Sequence, residues 1–349
     1  MRRNTWLIAI LSSGLLASCG ITKNSDKDSK DQGETAILTE AELSRIQQEF
    51  APLPEVADST ENPVTEAKVE LGKKLFLDEA LSNPEANGGQ RISCNSCHLL
   101  DQYGVDGLDR SVGILGEKVP VNAPTVYNAA LNAKQFWDGR AATVEEQALG
   151  PVTALKEMGY TGDEADVPKI MENLAAADPA YPDLFTAAFP EQGAGAYNFQ
   201  NVGNAIGAFE RTLLTPSRFD DFLKGDIMAL NDAEQRGLKV FLNTGDGGCV
   251  SCHTGVAVGG GSLMELTGNP GADDTLALAA YEGVPDLVKV PSLRNIEKTG
   301  PYFHNGAVSS LDDAIRLMAE YQLGVTLTDT ELEDLKAFLG ALTGELPPL

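Results

Sequence analysis

One five-residue signal occurs twice in this chain, as CNSCH at residues 94–98 and as CVSCH at residues 249–253. In each copy two thiols are separated by two residues and followed at once by an imidazole. That is the spacing at which a peptide turn can add two thioethers to the vinyl groups of one haem and offer the next side chain to its iron. The cysteines divide without remainder: Cys94 and Cys97, Cys249 and Cys252, and a fifth, Cys19, near the N-terminus. A disulfide framework would leave His98 and His253 unexplained. Zinc would need a fourth ligand at each motif, and only His304 remains among the histidines. The motifs therefore predict two covalently bound c-type haems, with His98 and His253 as proximal iron ligands.

The residues before each motif repeat as well. LGKKLFLD at 71–78 and RGLKVFLN at 236–243 share Gly-x-Lys-x-Phe-Leu, and each leads through a glycine-containing loop into its Cys-x-x-Cys-His. The first loop places 17 residues between Phe76 and Cys94, the second 7 between Phe241 and Cys249. This is one helix–loop–attachment unit used twice. Other helices are signalled by capping boxes, Thr39/Glu42 before SRIQQEF and Thr328/Glu331 before a stripe of Leu332, Leu335, Leu339 and Leu342. No strong period-2 pattern stands out, so the fold class expected is mainly α with long ordered loops.

Two haems can take at most two further protein ligands. A thioether raises the potential of an electron-transfer haem. Met318 lies in SSLDDAIRLMAEYQLG, between the second motif and the last helix, the interval that supplies the methionine in small c-type cytochromes.

The first residues are targeting rather than fold. Residues 1–18 carry Arg2 and Arg3 and then an apolar stretch too short to span a bilayer, reading as a signal peptide. Leu16-Ala17-Ser18-Cys19 resembles a lipoprotein lipobox, with Cys19 the acylated residue. Gly20 rather than Asp follows it, which favours the outer over the inner membrane as the site of a periplasmic, lipid-anchored protein. Residues 19–37 read as a flexible tether. Against 26 Lys and Arg stand 51 Asp and Glu, a net charge of −25 spread along the chain. Such a surface excludes nucleic acid as a partner and suits a donor with a basic face.

NAPTVYNAALNAKQFWDGRAATVEEQALGPV at 122–152 and VPSLRNIEKTGPYFHNGAVSSLDDAIRLM at 290–318 resemble the bacterial diheme cytochrome c peroxidases, the likeness extending over about residues 60–345. The resemblance implies two cytochrome-c-like domains with one covalent haem each, here 38–207 and 208–349. The first would hold the haem where hydrogen peroxide reacts. The second, ligated by His253 and Met318, would take electrons from a cytochrome c or cupredoxin. The resemblance further implies that Trp137 lies between the haems and that Gln147 and Glu157 are the polar pair on the open side of the first. Asn122, Thr299 and Pro301 would surround a calcium ion, the last two through carbonyls, and His304 would stand near the second haem. A homodimer is common in the family.

One stretch departs from the pattern. SVGILG at 111–116 corresponds to a segment reading like S-x-G-H-G in typical members, whose histidine closes the first haem until the other is reduced. Ile114 aligns with that histidine, so the first haem is expected to be open at rest. Related methylamine-utilisation enzymes, which oxidise Tyr or Trp of a partner protein, also keep this haem open. The best-known member ligates its second haem with tyrosine, and Tyr321 is three residues beyond Met318. A diheme electron carrier is a third reading, opposed by the retention of Gln147 and Glu157.

Overall fold

The structure, a computed structural model, describes residues 37–265 and 287–349. The signal segment, Cys19 and all but the last residue of the tether lie outside them. In chain order the helices are α1 (Glu40–Glu49), α2 (Glu66–Leu77), α3 (Val144–Thr153), α4 (Asp166–Ala177), α5 (Tyr181–Ala188), α6 (Phe199–Glu210), α7 (Arg218–Leu223), α8 (Asp232–Asn243), α9 (Leu311–Leu323) and α10 (Asp329–Ala341). The capping boxes expected at α1 and α10 form. Glu42 N–H donates to Thr39 Oγ1 while Thr39 N–H donates to Glu42 Oε2 at 2.8 Å, and Thr328 and Glu331 repeat the exchange. Each such cap contributes about 1 kcal/mol. Two strands, β1 (Leu263–Glu265) and β2 (Leu287–Lys289), pair antiparallel. At three residues each they are too short to show an alternating pattern in the sequence. No helix among the described residues is long and apolar enough to cross a membrane.

The sequence repeat has a packing reason. Gly72 on α2 lies against α6 so closely that a Cβ there would stand 1.9 Å from the Ala205 carbonyl oxygen and 2.9 Å from Phe209 Cβ. Gly237 on α8 lies against α10 in the same way, 1.8 Å from the Asp334 oxygen and 2.8 Å from Phe338 Cβ. Four residues on from each glycine, Phe76 meets Phe209 and Phe241 meets Phe338, both edge to face, with centroids 5.6 and 5.2 Å apart. The glycine permits the close crossing and the aromatic pair fixes it. Gly72→Ala and Gly237→Ala should each lose about 1–3 kcal/mol, as overpacked helix crossings do. Chemical unfolding of each variant would check this, and unchanged stability would refute the shared role.

Two principal cores result. The first gathers Leu75, Phe76, Tyr127, Val152, Ile206 and Phe209, and the second Phe219, Leu238, Phe241, Val258, Phe338 and Leu342. Along the chain the first core gives way to the second between Leu213 and Phe219, close to the division expected at 207/208. That cut falls inside α6, whose Phe209 still belongs to the first core, as does Leu213. Leu38, Ile46 and Phe50, assigned above to the first half, pack in the second core, where the Phe50 ring meets Phe219 edge to face at 5.4 Å. The N-terminal helix thus covers the C-terminal core, and residues 37–349 form one contiguous unit.

Candidate functional site

Each Cys-x-x-Cys-His closes as a short 3-10 turn with the same bonds. Cys97 N–H and His98 N–H both donate to the Cys94 carbonyl at 3.2 and 2.9 Å, and Cys252 and His253 do so to Cys249 at 3.2 and 3.0 Å. The turn brings both cysteines and the histidine that follows to the wall of a cavity. None of the four cysteines is in a disulfide, and burial pushes the Cys94 thiol up to about 12. His98 Nδ1 lies 3.3 Å from the Gly104 carbonyl, which holds the hydrogen on Nδ1 and leaves Nε2 to bind iron. Burial lowers His98 and takes His253 down to about 4, so both are neutral imidazoles, the form that ligates a metal.

Both turns open onto one cavity of about 610 Å³, lined by Cys94, Cys97, His98, Cys249, Cys252 and His253. Its walls are largely apolar, with Val105, Val126, Ile206, Phe241, Leu293 and Leu339 among them, as a porphyrin face requires. Lys289 also lines it, nearly fully buried, with its ammonium unpaired to any described residue and pushed down to about 8 by burial. An uncompensated buried cation is costly unless a counter-charge arrives. The carboxylates of a haem would supply one. Ser111 Oγ, buried at the same cavity, has no hydrogen-bond partner of full geometry. Donors, apolar walls and unpaired polar atoms all fit two haems held through these motifs.

Gln147, on α3, and Glu157, in the turn that follows α3, both line the cavity. Burial raises the Glu157 carboxyl above its ordinary value, partly opposed by the charge of Arg140. Arg140 itself lies over the Phe136 ring at 3.4 Å and pairs with Asp138 at 2.7 Å. Ile114 stands back from the cavity wall. Its side chain is 1% exposed and does not line the cavity; Ser111 and Gly113 of the same stretch do. Ile114 instead packs toward Gly159, because its N–H is bonded to the Glu157 carbonyl. Neither serine nor glycine is an axial ligand of haem iron.

On the wall of the same cavity, Trp137 and His304 meet edge to face with centroids 6.4 Å apart. Trp137 Nε1 donates to the Asn122 carbonyl at 3.0 Å, Asn122 N–H donates to the His304 carbonyl at 2.7 Å, and Lys289 N–H donates to the Trp137 carbonyl at 2.8 Å. Burial takes His304 down to about 4. Asn122, Thr299 and Pro301 line the same cavity, an amide and two carbonyl donors of the class calcium accepts. No cluster of three His, Cys, Asp or Glu side chains suited to a metal occurs among the described residues. On α9, Met318 lines the cavity and Tyr321 does not.

Two groups at the cavity gave no signal in the sequence. Lys289 sits in an unremarkable VKV run. Glu210, on α6, is pushed up to about 8 by burial and by the charge of Glu145, so it stands as a neutral acid. A single buried charge leaves no periodic trace, and only the closure of the cavity singles it out.

A sequence model of the family described as di-haem cytochrome c peroxidase matches residues 66–228. The cytochrome c551 peroxidase of Pseudomonas aeruginosa is 40% identical over 309 residues, covering 85% of each chain. The methylamine utilization protein MauG of Methylophilus methylotrophus is 33% identical over 304 residues, 81% of this chain and 84% of its own. Among solved structures, a MauG-like protein associated with microbial copper homeostasis aligns with a TM-score of 0.68 at 30% identity, over 84% of this chain and 94% of that one.

Proposed function

This chain belongs to the di-haem cytochrome c peroxidase family, and from that footing we propose that it reduces hydrogen peroxide to water without first needing reduction to open its peroxidatic haem. The observation that carries the reading is the placement of Glu157 and Gln147 on the cavity that also receives both haem-attachment turns, with no axial ligand offered by the 111–116 stretch. The two haems, when bound, supply an iron that takes up peroxide and the electrons that cleave its O–O bond. His98 and His253 would hold them through their imidazoles, and Lys289 would offer its ammonium to haem carboxylates.

Glu157 works as a general base and then as an acid. Its carboxylate takes the proton from one peroxide oxygen and returns it to the other, which leaves as water. Gln147 orients the peroxide by its amide. Trp137, fixed through Nε1 on Asn122 and against His304 at the cavity that both attachment turns line, would carry electrons from one haem to the other. Two electrons and two protons convert one peroxide to two waters. The donor is a small redox protein, a cytochrome c or cupredoxin, drawn by its basic face to the acidic surface. Calcium held by Asn122, Thr299 and Pro301 would brace the contact, and acylated Cys19 would hold the enzyme on the periplasmic side of the outer membrane.

Met318, at the cavity wall where Tyr321 is not, supports a high-potential second haem and so peroxidase chemistry over oxidation of a partner protein. Met318→His should lower the midpoint potential of one haem and leave the other unchanged in a redox titration. Two unchanged potentials would remove Met318 from the ligand set. The function itself is tested by low-temperature EPR of the fully oxidised protein, followed by turnover of peroxide with reduced cytochrome c. One high-spin ferric signal, lost on adding peroxide, beside one low-spin signal is the expected result. Two low-spin signals would mean that the first haem is closed.

A further inference from the structure

We propose that the 111–116 loop is the seat of Glu157, with Gly113 and Ile114 as positioning residues that hold its carboxylate in the cavity. This rests on the reading of Glu157 as the proton-transfer group. The carboxylate has no hydrogen bond to any described residue; burial and the charge of Arg140 are what act on it. Where it stands is therefore decided by where its backbone stands.

That backbone is a tight turn. The N–H groups of Glu157, Met158 and Gly159 all converge on the Ala154 carbonyl, at 3.2, 2.9 and 3.1 Å. The loop clasps this turn from one side. Ile114 N–H donates to the Glu157 carbonyl at 2.9 Å, and a Cβ on Gly113 would lie 1.7 Å from the Lys156 carbonyl oxygen. Only glycine allows that approach. Ile114 Cγ2 would come within 3.0 Å of a Cβ at Gly159, where φ is +84°.

The loop is itself anchored. Gly113 N–H donates to Glu117 and Val119 N–H to Ser111, at 3.0 and 2.8 Å, which closes the loop on itself. Asn87 Nδ2 donates to the Ile114 carbonyl at 2.7 Å. The same 83–87 segment also holds the turn directly: Asn83 donates through N–H to the Met158 carbonyl and through Nδ2 to the Gly159 carbonyl, both at 2.9 Å. Residues 156–159 are thus held by two segments that are bonded to each other, and the stretch that lacks a latching histidine carries the acid instead.

The test measures the rate at which peroxide changes the haem absorption of the oxidised holoprotein, without any donor. Gly113→Ala should slow this reaction by ~10²-fold, approaching Glu157→Gln. Ile114→Ala should slow it roughly 10-fold through a smaller displacement, with Ile114→Val near the parent. Gly113→Ala combined with Glu157→Gln should be no slower than Glu157→Gln alone, because a misplaced glutamine has nothing further to lose. The acid limb of the rate in Ile114→Ala should move down toward the ordinary carboxylate range as Glu157 meets more water. A parental rate in Gly113→Ala, or losses that multiply in the double variant, would overturn the proposal. If Gly113→Ala does not fold, the same non-additivity test is made with Ile114→Ala. A parental rate in Glu157→Gln would sink the Glu157 reading and this proposal together. Intact peroxide reaction without oxidation of cytochrome c would sink only the choice of donor.

Discussion

Glu157→Gln is expected to lower the peroxide rate by ~10²–10⁴-fold while leaving both haem spectra and the unfolding midpoint where they were. The substitution keeps the size of the side chain and removes its capacity to take a proton. It breaks no hydrogen bond, because the carboxylate makes none with a described residue. The pH profile gives the sharper readout. Burial raises the Glu157 carboxyl, and the base form is the one that receives the first proton. The parent rate should therefore fall as the pH drops through a midpoint above the usual carboxylate range, about 4.3 for glutamate. In Glu157→Gln that limb should vanish, leaving a low and flatter rate. A variant that retains the limb would place the titrating group elsewhere, with Glu210 and Asp138 the other acids on the cavity wall.

Asp220→Ala is expected to destabilise the fold by about 3–5 kcal/mol, the cost of stranding a buried charge. Asp220 and Arg294 are both 0% exposed and meet at 2.9 and 2.8 Å in a two-pronged pair. The carboxylate also accepts from Leu53 N–H and Ser217 N–H, each at 2.7 Å, which ties the segment before α2 to the start of α7. Arg294 Nε continues to the Val256 carbonyl at 2.7 Å, beside the segment that faces His253. Without the carboxylate the guanidinium stays buried with two of its three hydrogen bonds unmade. Urea unfolding with an unchanged m-value would measure the loss. Burial works to raise Asp220, but the hydrogen bonds and charge of Arg294 outweigh it and leave the carboxyl below its ordinary value. Its contribution is thus complete above the unfolded value of about 3.9 and disappears as the pH falls through the lower folded one. The variant should lack that part of the acid sensitivity. Equal stability at neutral pH would mean that the core repacks around Arg294.

What could be read in the sequence was whatever a few neighbouring residues decide among themselves. The attachment turns follow from two thiols and an imidazole at fixed spacing, and the helix starts at Thr39 and Thr328 from a reciprocal bond spanning three residues. The repeat around Gly72 and Gly237 was visible too, although its meaning was not: a glycine announces a close approach without naming the helix that approaches. The core that α1 serves was hidden for a related reason. The apolar stripe of α1 fits either core equally well as a pattern, and only the ring of Phe219 shows which one it covers.

The site follows the same rule. Haem attachment was settled by sequence because covalent chemistry is local, and the likeness to the family placed Glu157 and Gln147 near it. The tertiary structure alone turned Ile114 away from the cavity, because that orientation depends on a hydrogen bond to a residue 43 positions on, in a different loop. It alone isolated Lys289 inside an apolar wall and paired Arg294 with Asp220 across 74 residues. Short-range geometry fixed what binds, whereas burial and long-range pairing, which no local pattern encodes, decided where each charge stands and what it can do.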